Sequence, residues 1–311
     1  MLVSMLRPLV ERGHDVTVWL SRYTNDRDPY EYEGVRVVPL AARLDFSAAC
    51  RKADVLVSHL EGVPSTAALA RGFGVPFVSI VHNTHRTSFR NMAAGGTALA
   101  VYNSQWMQSE AELFFAEFPT SVRPDRSLVV RPPVFAGDYR VKPGDCITLI
   151  NCNEDKGGDL LWRLAARMPD QHFLGVRGAY GVQVTPPHRV PNLEYIDHVP
   201  GNEMAKLVYG RTKVLLMPSG YESWGRTGVE AMASGIPVVA NPTPGLCESL
   251  GDAGIFADRD DLDAWLATLE RLLKPTEWRA ASRRAKARST ELNPDAELAQ
   301  WCDAIEDLAR R

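Results

Sequence analysis

"GYESWGRTGVEAMASGIPVVA", residues 220–240, is the stretch whose reading decides the fold. Just before it, "KVLLMPS" (213–219) is a short apolar run of strand length, and "GYESWG" is the turn at its carboxyl end. A small-residue helix starts near Gly225, and Gly235 followed by Pro237 stops it. "IPVVANP" is then a second buried strand. Strand, turn, helix and strand in this order form one unit of a parallel sheet. The start of such a helix carries free N–H groups and the positive end of its dipole, so an anion belongs there. Glu222 and Glu230 flank that start. Eight positions at about 100° each leave them about 80° apart even if both were helical, which excludes a metal pair on one helical face. Two readings remain. In one, Glu222 in the turn and Glu230 in the second helical turn accept hydroxyl hydrogen bonds from different parts of one ligand. In the other, Thr227-x-x-Glu230 is a capping box and Glu222 complements the dipole.

Outward from this unit, strand and helix patterns alternate along the chain. "VRVVPL", "ADVLVSHL", "PFVSIVHN" and "ALAVYNS" are Val/Ile/Leu-rich strands separated by helical patterns, one over 64–73 and one from about Gln105. The chain opens on an amphipathic helix, with Met5, Leu6, Leu9 and Val10 at helical spacing, Pro8 inside it and Gly13 ending it, before the strand "HDVTVWL", read as buried. "VRPPVFAGDYRVKPGD" (130–145) reads as an interdomain linker. A second alternating set follows: "CITLINCN", a helix over 158–168, "HFLGVRG", "LEYIDHV", a helix near 202–209, the quoted unit, "GIFA", a helix from Asp260 and a last amphipathic helix over 296–311. The pattern predicts an α/β protein with domains at 1–135 and 136–295, and a C-terminal helix packing back towards the first.

Composition agrees with two globular domains: 311 residues, 45% hydrophobic and 23% charged. A net charge of −3 offers no basic surplus for nucleic acid. The five cysteines, Cys50, Cys146, Cys152, Cys247 and Cys302, form no closely spaced pair, which argues against a disulfide framework or a zinc site and fits a reducing cytoplasm. No run reaches the ~20 apolar residues of a membrane span. Peripheral contact with a membrane stays open.

From Met217 to Ala240, and on through "GDAGIFADRDD" (251–261), the sequence resembles the donor-binding motif of GT-B glycosyltransferases, in particular the retaining family 4 group with its Glu-x7-Glu signature. The resemblance implies a GT-B fold, two Rossmann-like domains facing a central cleft, and a nucleotide-diphosphate sugar of the UDP or GDP type as co-substrate, with no other cofactor and no metal. It assigns donor-sugar hydroxyls to Glu222 and ribose hydroxyls to Glu230, with the amides around Ser223, Trp224, Gly225, Arg226 and Thr227 facing sugar and phosphate. "LINCNEDKGGDLLWRLA" resembles the family's Arg-x4/5-Lys-Gly segment that holds the diphosphate; Lys156 and Gly157 match it, and Asn151 stands where the arginine is expected. Arg177 or Arg226 is the candidate replacement. "SIVHNTHRTSF" resembles the segment in which a histidine approaches the reaction centre, which makes His82 the match. "VYNSQWM" resembles a neighbouring cleft-shaping turn.

Catalysis then rests on His82, Lys156 and Glu222, with transfer by retention to an unknown acceptor. His85, Arg86 and Arg90 favour an anionic or glycan acceptor or are plain surface charge. His82 with His85 shows no third metal ligand, and the aspartates of Asp26-Arg-Asp28 and Asp258-Arg-Asp260 read as caps in preference to metal ligands. Family members open with a strand and a glycine-rich turn that "MLVSMLRPLVERGHDV" does not contain, so the expectation is a misassigned start or a shortened relative. The alternatives are a nucleotide-sugar-binding protein without turnover and a GT-B nucleotide-sugar epimerase.

Overall fold

The computed structural model describes residues 2–21, 27–42, 44–93 and 96–310. The chain divides into two compact units, Met1–Pro133 with Pro294–Arg311, and Val134–Asn293.

The first unit opens on the helix Leu2–Glu11, which runs through Pro8 and buries Met5, Leu6 and Leu9. Three strands follow: β1 (Thr17–Leu20), β2 (Tyr30–Tyr32) and β3 (Val35–Pro39). They form a sheet in the order β1-β3-β2, with β1 parallel and β2 antiparallel to β3. The hairpin β2–β3 escaped the sequence reading. Its turn, Glu33-Gly34, has φ of 50° and 78°, the two positive angles of a tight turn that matches strand twist. The expectation of a buried first strand is corrected: Thr17 is exposed and Val18 to Leu20 are only half-buried, and among the described residues β1 pairs with β3 alone.

A separate parallel sheet holds β4 (Leu56–His59), β5 (Phe77–Val81), β6 (Leu99–Tyr102) and β7 (Ser127–Val129) in that order. Every residue of β5 and β6 is buried, as central parallel strands covered on both faces require. Phe77, Phe89, Met92, Phe114 and Phe115 pack the core beneath the flanking helices. The C-terminal helix, Asp295–Ala309, belongs to this unit. Its Glu297 accepts hydrogen bonds from both the backbone N and Nη1 of Arg131, at 2.7 and 2.6 Å. Its Trp301, fully buried, donates Nε1 to the Met5 carbonyl at 2.8 Å.

The second unit is built on six parallel strands: β8 (Cys146–Ile150), β9 (Phe173–Val176), β10 (Leu193–Ile196), β11 (Thr212–Met217), β12 (Val238–Ala240) and β13 (Ile255–Phe256). Their order is β10-β9-β8-β11-β12-β13. The chain winds outward from β8 to β10, then returns to place β11 on the other side of β8. Strand order therefore reverses between β8 and β11, the position where parallel α/β sheets bind ligands beyond the carboxyl ends of their strands.

Two helix expectations, near 202–209 and from Asp260, are corrected in this unit. The units divide between Pro133 and Val134, inside the run 130–145, and Tyr139 of that run is buried in the core of the second. Ser234 Oγ ties this segment down, donating to the Tyr139 carbonyl at 2.6 Å and accepting from Val141 N at 2.8 Å. The helix near 202–209 is broken into the short turns Gly201–Glu203, Met204–Leu207 and Tyr209–Arg211, so that the Tyr209 ring drops into the core. The helix expected from Asp260 begins at Leu262, capped by Asp261, and a second helix, Pro275–Glu291, starts afresh at a proline.

Trp301 anchors the C-terminal helix on the first, so Trp301→Ala is expected to lower stability by about 3–5 kcal/mol. Chemical denaturation of the two proteins checks this, and an unchanged midpoint contradicts it.

Candidate functional site

Two turns meet at the switch point. The first leaves β8 and carries Asn151 to Gly157; the second leaves β11 and carries Pro218 to Gly225. Lys156 Nζ donates to Glu222 Oε1, joining them through an ion pair whose side chains are 19% and 18% exposed. Ser219 Oγ donates to the same oxygen at 3.0 Å, and Gly220 N donates to the Asp155 carbonyl at 2.9 Å. Among the described residues Glu222 Oε2 has no partner, which leaves it available to a ligand hydroxyl.

Two glycines make this approach feasible. Gly157 has φ of 81°, and a Cβ there would lie 2.5 Å from Pro218 Cγ. Gly225, with φ of 79°, starts the helix Arg226–Ala233, and a Cβ there would lie 2.4 Å from Leu246 Cδ2. No side chain caps this helix start, so its first N–H groups and its dipole face the turn. Ser223 is half-buried beside Glu222, whereas Trp224 belongs to the core. Thr227 sits in the first helical turn with its Oγ1 turned towards Met217 Sδ, 4.0 Å away.

Glu230 does not cap the helix. It is 6% exposed and lies in a polar cage: Tyr209 OH donates to Oε2 at 2.6 Å, and Arg226 Nε pairs with Oε1 at 3.0 Å. Arg226 Nη2 donates onward to Tyr139 OH at 2.9 Å. Burial, reinforced by Glu230, raises the Tyr209 hydroxyl well above its ordinary pKa and pushes Tyr139 up to about 12, so both phenols stay protonated. The capping-box alternative gives way because a buried carboxylate gains more from these donors than from the helix end.

Asn151 is packed into place. Its φ of 65° is a left-handed conformation that asparagine tolerates better than arginine, and its Oδ1 accepts from Gln183 Nε2 at 3.1 Å. Gly178 lies so close that a Cβ would stand 2.1 Å from that oxygen. Neither candidate replacement cation contacts Lys156 or Glu222. Arg177 pairs with Asp197 at 2.8 Å, and Arg226 serves Glu230 and Tyr139.

In the first unit His82 follows β5 and stands edge-on to His59, which ends β4, with ring centroids 5.0 Å apart. Burial, then the neighbouring His59, holds the His82 imidazole down to about 4; burial also lowers His59. Both rings are neutral at pH 7. Leu60, directly after His59, has φ of 50°, a strained angle for leucine. Ser104 of the "NSQW" turn accepts from Met107 N at 3.2 Å as a helix cap. Arg86 pairs with Glu117 at 3.5 Å on the surface, and His85 and Arg90 are exposed beside it.

The cap expected at Asp258 and Asp260 falls to their neighbour: Asp261 Oδ1 accepts from Ala264 N at 2.9 Å at the helix start, whereas Asp258 Oδ1 accepts from Asp260 N at 2.9 Å and closes the turn before it. Asp26 lies outside the described residues. Among the described residues no three His, Cys, Asp or Glu side chains converge as a metal site, and no helix is long and apolar enough to cross a membrane. A shallow cavity of about 530 Å³ beside β10, lined by Pro186, His188, Val190 and Tyr195 among others, contains none of the motif residues.

Residues 1–132 match the glycosyl transferase 4-like domain family and residues 190–289 the glycosyl transferases group 1 family. The D-inositol 3-phosphate glycosyltransferase of Mycolicibacterium gilvum (strain PYR-GCK) is 32% identical over 298 residues, covering 82% of this chain and 67% of that protein. The O-antigen chain mannosyltransferase B of Escherichia coli is 32% identical over 121 residues, covering 39% of this chain and 26% of that protein. The chain thus spans only about a quarter of the length of this second relative. Anabaena HepE, solved in complex with UDP-glucose, superposes with a TM-score of 0.75 over 98% of this chain and 94% of its own, at 15% identity.

The depressed imidazoles set a pH dependence. Unfolded histidine takes its proton near pH 6.5, before the folded His82 does, so the stability due to the neutral pair is complete above that pH and is lost as pH falls towards 4. His82→Asn is expected to flatten the thermal midpoint between pH 6.5 and 4 relative to the parent protein. An identical slope in both proteins contradicts this assignment.

Proposed function

The chain belongs to the group 1 glycosyltransferases, with a family 4-like amino-terminal domain and a GT-B fold, and on that premise we propose that it transfers a sugar from a nucleotide-diphosphate donor to an acceptor with retention of configuration. The observation that carries this reading is the Lys156–Glu222 pair beside the uncapped start of the helix Arg226–Ala233, at the reversal of strand order. A cation and the uncapped start of a helix suit a diphosphate, and a carboxylate with one free oxygen suits sugar hydroxyls. The UDP-glucose complex of the Anabaena structure supports a donor of the UDP type, with GDP as the alternative.

Breaking the bond between a sugar and a diphosphate builds negative charge on the leaving group. Lys156 and the amides of Arg226 and Thr227 meet that charge where it develops, which is the largest contribution such a site makes. Glu222 shares its Oε1 with Lys156 and Ser219, and Glu230 is caged by Tyr209 and Arg226, so neither stands free as a covalent nucleophile. Attack by the acceptor on the leaving-group face, with a phosphate oxygen taking its proton, follows as the route. Glu230 keeps two lone-pair positions beyond its cage, which are assigned to the ribose hydroxyls. His82, neutral and able to accept or donate one hydrogen bond, is assigned to the reaction centre.

The ion pair makes a prediction specific to this arrangement. With no ligand, Glu222 neutralises the cation that a diphosphate needs. Glu222→Gln is therefore expected to tighten binding of free UDP or GDP about tenfold, or ~1.4 kcal/mol, while sugar transfer falls. Lys156→Ala is expected to weaken the nucleotide and lower transfer by about 100-fold or more. Calorimetric titration together with product release from UDP- and GDP-sugars measures both. Wild-type nucleotide affinity in Lys156→Ala contradicts the reading, and nucleotide-sugar binding without any transfer would reduce it to a binding role.

A further inference from the structure

The triplet Asp258-Arg259-Asp260 stood out in the sequence for its acids, yet its arginine makes the contacts that matter. Arg259 reaches from the loop after β13 to the turn that carries Lys156, donating Nη1 to the Asp155 carbonyl at 2.8 Å and Nη2 to the Glu154 carbonyl at 2.5 Å. The Asp155 carbonyl also accepts from Gly220 N at 2.9 Å, so one oxygen joins Arg259, the Lys156 turn and the Glu222 turn. Behind it, Asn241 after β12 accepts from Arg259 N through Oδ1 at 3.2 Å and donates Nδ2 to the Ser219 carbonyl at 3.0 Å. Ser219 in turn orients Glu222. Four loops at the carboxyl end of one sheet are thus cross-linked through a single guanidinium and a single amide.

We propose that Arg259 is a positioning residue, which sets the Lys156 turn against the Glu222 turn and so acts on a nucleoside diphosphate through Lys156. This rests on the reading of Lys156 as the diphosphate cation. The planar fork spans two successive carbonyls at fixed spacing; a lysine in its place carries the charge on a flexible stem and cannot hold both. Without the fork, the two carbonyls turn to water and the Lys156 turn loses its reference. Binding then weakens because the cation is misplaced, not because charge is missing.

The test is calorimetric titration of UDP and of GDP into the full chain, its Arg259→Ala, Arg259→Lys and Lys156→Ala variants, and the Lys156→Ala/Arg259→Ala double variant, with thermal midpoints recorded alongside. Both Arg259 variants are expected to weaken the nucleotide about tenfold, and the double variant to bind no worse than Lys156→Ala alone, since Arg259 acts through Lys156. Full recovery in Arg259→Lys, or losses that add in the double variant, overturns the proposal by making Arg259 a source of charge. Loss in Lys156→Ala with wild-type affinity in both Arg259 variants overturns the proposal alone. Wild-type affinity in Lys156→Ala overturns both it and the reading beneath it.

Discussion

The ion pair between Lys156 and Glu222 spans 66 residues of sequence and joins the turn after β8 to the turn after β11. Each turn leaves the carboxyl end of a central parallel strand. Left-handed glycines at 157 and 225 let the backbones come within contact of Pro218 and Leu246. Removing one charge from such a half-buried pair leaves the other uncompensated, whereas a diphosphate that takes the lysine and a hydroxyl that takes the carboxylate replace it in kind.

A second polar cluster, around Glu230, lies deeper than the first. Tyr209, Arg226 and, through Arg226, Tyr139 surround the carboxylate at the heart of a core built from Trp224, Val229, Met232 and Leu246. The broken helix around 201–211 and the segment after Pro133 both find their position here, because each delivers one phenol. The helix Arg226–Ala233 thus has a structural anchor on its second turn and an uncapped start on its first. Fixing the one holds the other in place.

Much of this was legible in the residues. Runs such as "PFVSI", "CITLI" and "KVLLM" are apolar throughout because both faces of a parallel strand are covered, and the glycines and prolines around them mark the turns. The motif residues Lys156 and Glu222 were found from spacing and resemblance alone. What could not be read were pairings that depend on where distant segments land. Nothing local announces that Tyr209 serves Glu230, or that Arg259, between Asp258 and Asp260, reaches back to Glu154 and Asp155. Asn151 reads as a missing charge; its left-handed backbone, its burial and the close approach of Gly178 make it a packed corner. The half-exposed β1 and the division of the first unit's strands into two sheets were equally invisible, since strand periodicity reports a strand and not its neighbours.

The central claim is that Lys156 and Glu222 exchange each other for the two halves of one donor. A crystal structure of the protein with an intact nucleotide-diphosphate sugar tests it most directly. The account predicts Lys156 Nζ on a diphosphate oxygen, Glu222 on sugar hydroxyls and the phosphates over the start of the helix Arg226–Ala233. A donor bound elsewhere in the second unit, with the ion pair intact, would contradict it.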